Sequence, residues 1–148
     1  MPNLGQIFRD AIIGEIREWQ IADLHLYREI IVGSRFVGKK RKLDIVLQYE
    51  KRYLGIEAKY QATQGTAYQK LSYTLDDARK TPIPTIIVFA GEGIEEDVKA
   101  QLISSGIGLE VTWSAENGFH SGVDILKQRV LIELGLDWLS DQAEKRVF

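Results

Sequence analysis

"LDIVLQYEKRYLGIEAKY", residues 43–60, decides how the chain is read. Residues 43–49 and 53–60 alternate apolar and polar side chains around the charged turn Glu50-Lys51-Arg52, which predicts two paired strands. In a strand, residues two apart share a face. Leu54, Ile56, Ala58 and Tyr60 therefore fall on one side, and Gly55, Glu57 and Lys59 on the other. Hairpin pairing is expected to set Asp44 opposite residues 58–60, so that two carboxylates and an amine converge.

Two readings of that trio stand side by side. Glu and Lys alternating on a solvated strand make an ordinary salt-bridged surface, worth little in stability. The same groups suit phosphodiester hydrolysis. Asp44, Glu57 and the main-chain carbonyl of Ala58 offer the oxygens that a hard cation such as Mg²⁺ prefers. A cation there stabilises charge on a phosphate, and Lys59 stands where it could act on the attacking water.

Outward from the hairpin, residues 4–20 carry apolar side chains at spacings of three and four, an amphipathic helix with Asn3 as its N-cap. Residues 25–33 read as a strand, and 34–42 as a loop punctuated by Gly38. Helical spacing returns over 66–79 and is blocked by the two prolines of "TPIP". "TIIVFAG", 85–91, is a continuous apolar run that suits a strand buried on both faces. A helix over 94–105, a strand over 107–113, a loop "ENGFHSG" and a last helix over 123–139 complete the order αβββαβαβα. Consecutive strands followed by strand–helix–strand units predict an α/β fold, a mixed β-sheet flanked by helices. The expected organisation is one domain over residues 1–148, with 139–148 a fraying tail.

Composition bounds the rest. No apolar run is long enough to span a bilayer, and the N-terminus lacks a signal-peptide core. With no cysteine there is neither a disulfide framework nor a thiolate site, and the cytoplasm is the expected compartment. His25 and His120 alone do not make a zinc site. The net charge of −2 hides an asymmetry: residues 1–90 hold 14 Lys/Arg against 10 Asp/Glu, and residues 91–148 hold 5 against 11. Arg35, Lys39, Lys40, Arg41 and Lys42 form the densest basic cluster, with no acid among residues 35–42. Such a cluster is either a solvated loop or a phosphate-neutralising contact to double-stranded DNA.

Asp44 followed after twelve residues by Glu57-Ala58-Lys59 resembles the PD-(D/E)XK nuclease superfamily, in motif and in element order over residues 4–90. Leu43 stands where many members carry proline. The resemblance implies a restriction-endonuclease-like fold and a Mg²⁺-dependent endodeoxyribonuclease, with Mn²⁺ able to substitute. It implies that Asp44, Glu57 and Ala58 hold the metal, that Lys59 acts on water, and that Glu15 on the first helix supports the metal site or binds a second metal. Gln69 and Tyr73, spaced i, i+4, match the Gln-x-x-x-Tyr motif of RecB-type nuclease domains, which implies that they position the catalytic site or the phosphate. Size and basic loop resemble the cyanobacterial intron-encoded homing endonuclease of this superfamily, and "IIVGSR" resembles archaeal Holliday-junction resolvases less closely. The expectation is a site-specific double-strand endonuclease, homing or restriction-like. A junction resolvase and a catalytically silent DNA-binding or assembly subunit are the alternatives. Cutting both strands needs two such sites, hence a homodimer or homotetramer.

Overall fold

The computed structural model describes residues 3–34, 38–63 and 67–139, with the side chains of 67–72 set aside. Helix α1, Leu4–Glu18, starts at Asn3, whose side chain accepts the Gln6 N–H at 2.8 Å. It buries Phe8, Ile12, Ile13 and Ile16, one stripe at helical spacing. Strands β1 (Leu24–Ser34), β2 (Lys40–Tyr49) and β3 (Arg52–Tyr60) follow as an antiparallel meander. Helix α2, Ala67–Lys80, then crosses to β4, Thr85–Ala90, which pairs parallel with β3. Helix α3, Glu96–Ser104, crosses to β5, Gly108–Glu110, parallel to β4. The sheet order is β1-β2-β3-β4-β5. A short hairpin, β6 (Thr112–Ser114) and β7 (Gly118–Ser121), and helix α4, Val123–Glu133, close the described chain.

The sheet separates two apolar clusters. On one face α1 and α4 bring Phe8, Ile12, Ile16, Leu126 and Val130 onto Ile45, Leu47, Leu54, Ile56 and Val88. On the other, α2 and α3 bring Leu75, Ala78, Val98 and Leu102 onto Ile87 and Phe89. Strand β4 feeds both clusters and is buried at all six positions, as its unbroken apolar run predicts. The mixed sheet flanked by helices is the expected fold class. No helix among the described residues is long and apolar enough to cross a membrane.

Four local expectations are corrected. Lys40, Arg41 and Lys42 belong to β2 rather than to a loop, because β1 extends to Ser34 and pairs with Lys40 and Lys42. Residues 107–113 split into β5 and β6, and "ENGFHSG" is largely strand, since Trp113 pairs with Phe119 and both rings pack on Phe8. Helix α4 stops at Glu133 because Gly135, at φ 70°, turns the chain and Leu136 N–H bonds back to the Leu131 carbonyl at 2.8 Å. The β2–β3 register, Ile45↔Ile56 and Leu47↔Leu54, sets Asp44 opposite Glu57 rather than opposite 58–60. Of the tail 139–148, residues 140–148 lie outside the described residues.

Candidate active site

The two carboxylates meet where the β2–β3 ladder ends. Gly55 N–H bonds to the Pro84 carbonyl and Gln61 N–H to that of Ala90, so the odd residues of β3 direct their backbone groups toward β4. The even residues, Ile56 and Ala58 among them, direct theirs toward β2. The last ladder pair is Ile45↔Ile56. Beyond it the Ala58 N–H donates to Asp44 Oδ2 at 2.9 Å, and the Asp44 N–H donates to Glu57 Oε1 at 3.1 Å. Each carboxylate thus replaces a main-chain acceptor on the neighbouring strand, and the two are locked to each other. A residue's N–H and C=O leave a strand on the same side, so the Ala58 carbonyl faces the same gap.

The electrostatics fit an oxygen site short of positive charge. The Glu57 side chain is 14% exposed and Lys59 41%, with 3.9 Å between Lys59 Nζ and Glu57 Oε2. Burial, and then the Asp44 charge beside it, push the Glu57 carboxyl up to about 7, against the opposing pull of Lys59. Among the described residues no three His, Cys, Asp or Glu side chains cluster as a metal site. A cation here would take two carboxylates and a main-chain oxygen, with water completing the shell. That all-oxygen donor set fits a hard divalent ion rather than zinc.

A cavity of about 30 Å³ adjoins Glu57 and Lys59, walled by Arg41 and Leu43 of β2 and by Thr74, Asp77 and Ala78 of α2. Arg41 is buried, its Nη1 2.9 Å from the Lys80 carbonyl and its Nη2 3.7 Å from Asp77 Oδ1. Its Nε is buried with no hydrogen-bond partner among the described residues. Arg41 belongs to the basic cluster expected as a solvated loop or a DNA contact; its guanidinium is instead buried and tied to the end of α2. Asp77 and Thr74 were missed, although their i, i+3 spacing on the sheet-facing side of α2 was the available signal.

The other predicted residues sit as follows. Glu15, on α1 across the sheet, accepts from Trp19 Nε1 at 3.3 Å and is not bonded to Asp44 or Glu57. Tyr73 lies on α2, 72% exposed. Gln69 lies in the first turns of α2, and its side chain lies outside the described residues, as does Arg35 altogether. Lys39 and Lys40 are exposed. Lys42 is exposed with its Nζ 3.8 Å from Glu29 Oε1, in a surface network with Arg9.

Comparison with curated protein sequences returns no match. Among solved structures, the chain is similar to a protein of unknown function, AF1548, with TM-score 0.50 and 14% identity over 86% of this chain and 78% of that one. It is also similar to an fdxN element excision controlling factor protein from Anabaena variabilis, with TM-score 0.49 and 12% identity over 80% and 98% of the two chains. An XisH family protein from Nostoc punctiforme PCC 73102 gives 0.48 and 12% over 78% and 97%. The first likeness is one of fold. Residues 5–120 match the PD-(D/E)XK nuclease superfamily domain, most of the chain and all of the Asp44–Lys59 constellation, and the chain belongs to that superfamily.

Proposed function

We propose that the chain is a divalent-metal-dependent DNA endonuclease, Mg²⁺ being the working ion and Mn²⁺ a substitute. The observation that carries this reading is the reciprocal pair, Asp44 N–H to Glu57 and Ala58 N–H to Asp44, at the end of a ladder. A cation bound beside this pair would draw on the remaining carboxylate oxygens and the Ala58 carbonyl. A cation held by Asp44, Glu57 and Ala58 would supply charge neutralisation at the phosphate and a more acidic water.

The chain's own groups do the positioning. Fixing both carboxylates by main-chain N–H donors pre-organises them before substrate arrives. Lys59, the more exposed neighbour of Glu57, aligns the attacking water and faces the charge that develops on the phosphate oxygens. Water adds to phosphorus, the ester bond to the leaving oxygen breaks, and a phosphate monoester and a hydroxyl result. Lys39 and Lys40, at the start of β2, would touch the DNA backbone on the approach to this gap. The substrate proposed is double-stranded DNA cut at specific sites, in a homing or restriction-like role, by a homodimer or homotetramer of single-domain chains.

The test offers linear duplex, supercoiled plasmid and a four-way junction to wild type and to Lys59→Ala, with Mg²⁺ or Mn²⁺. Cutting of a defined duplex site, reduced ~10²–10⁴-fold by Lys59→Ala, supports the proposal. Preference for the junction redirects it to junction resolution. Binding without cutting in either metal points to a silent DNA-binding subunit.

A further inference from the structure

Two adjacent strands turn over at the same place. In β1, Leu24 and Leu26 pack on the α1 side, whereas Ile30 and Val32 lie with Tyr27 and Val46 on the opposite face. In β2, Ile45 and Leu47 face α1, whereas Arg41 reaches α2 and Leu43 lies over Gly55 and Thr85. The pairing Arg28↔Ile45 and Ile30↔Leu43 keeps one register on both sides but skips Glu29 and Asp44. Glu29 has φ 56°, the left-handed region that side chains other than glycine and asparagine seldom occupy. Residues held there cluster at functional sites.

We infer that this double bend is a positioning device for Asp44, with Glu29 as its backbone hinge and Arg41 as its anchor; the inference rests on the metal-site reading above. In a flat strand the even residues of β2 would direct their N–H groups to β1, and Asp44 N–H would meet Glu29. The bend turns that N–H to Glu57 Oε1 and brings the Asp44 carboxylate onto Ala58 N–H. Arg41 holds the first residues of β2 against the last turn of α2 through the Lys80 carbonyl and Asp77. That fastens the turned-over segment immediately before Asp44. Neither residue touches the reacting atoms; both act through Asp44.

The test compares Glu29→Val, whose branched side chain resists positive φ, with Glu29→Gly, which accepts it. Arg41→Met removes the anchor while keeping an apolar stem. The first readout needs neither metal nor cleavage: the Asp44 amide proton by NMR, before and after adding Glu57→Gln in each background. That resonance shifts in wild type and in Glu29→Gly, and stays still in Glu29→Val and Arg41→Met. The second readout is the Mg²⁺ concentration for half-maximal cleavage, which rises ~10–100-fold in Glu29→Val and Arg41→Met and not in Glu29→Gly. Glu29→Gly loses the same contacts to Arg9 and Lys42, so it separates the hinge from those ion pairs. An Asp44 amide that still responds to Glu57→Gln in Glu29→Val and Arg41→Met overturns the inference. If Glu29→Val does not fold, Arg41→Met decides. If wild type cuts no DNA, the endonuclease reading fails while the amide readout still judges the bend.

Discussion

Glu57→Gln should make the metal-free protein more stable at pH 8 while destroying its response to Mg²⁺. Glu57 lies beside Asp44 with its carboxyl pushed up to about 7 from an ordinary 4.5, first by burial and then by the Asp44 charge. The folded state therefore binds more protons than the unfolded one between those two values, and stability falls as pH rises through that window. At about 1.4 kcal/mol per tenfold change in proton affinity, ionising Glu57 costs the fold roughly 3 kcal/mol above pH 7 and nothing below pH 4.5. Glutamine keeps an oxygen for the Asp44 N–H and offers an amide to the Asp44 carboxylate, losing the 3.9 Å contact to Lys59. That contact is partly solvated and worth little. The gain at pH 8 is about 2–3 kcal/mol, or ~5–10 °C in Tm for a chain of this size, shrinking toward zero by pH 4.5. Thermal melts of both proteins from pH 4.5 to 8, with and without Mg²⁺, measure it. Mg²⁺ should raise the wild-type Tm at pH 8 and leave the variant's unchanged. A variant less stable than wild type at pH 8, or a difference that ignores pH, would refute the account of Glu57 as a strained ligand.

Two further outcomes follow from the same geometry. A methyl group at Gly55 would lie 2.6 Å from Leu43 Cδ1 and 2.7 Å from Thr85 Oγ1, so Gly55→Ala should cost ~1–3 kcal/mol in denaturant melts. It should also lower cleavage by displacing Leu43, the neighbour of Asp44. Lys39→Ala with Lys40→Ala should weaken DNA binding across sequences and flatten its salt dependence by about one unit per lost phosphate contact; an unchanged slope would remove these lysines from the DNA interface.

Much of the fold was legible because burial has a period. The stripe of α1, the unbroken run of β4 and the alternation of β3 each follow directly from side-chain spacing. That Asp44 and Glu57 meet was legible, since both lie on polar positions of adjacent strands, but the register expected, Asp44 opposite 58–60, was off by one to three residues. What escaped depends on contacts distant in sequence. Nothing in "YREII" marks Glu29 as left-handed, at the point where the β1–β2 ladder skips Glu29 and Asp44. Arg41 sits in a basic run that resembles a solvated loop, yet the bend of β2 buries it against α2. Strand β7 is polar and glycine-bearing, and only the packing of Phe119 on Phe8 reveals it. The end of α4 was overrun because Leu136 and Leu139 continue the apolar pattern past Gly135.

The central claim is that Asp44 and Glu57 together hold the metal at which DNA is cut. Its most direct test is plasmid cleavage at saturating Mg²⁺ by wild type and by Asp44→Asn, whose carboxamide oxygen can still accept from Ala58 N–H. The account predicts Mg²⁺-dependent nicking or linearisation by wild type and a loss of ~10²-fold or more in a fully folded Asp44→Asn. Cleavage by Asp44→Asn at the wild-type rate, or wild-type cleavage that persists in EDTA, would contradict it.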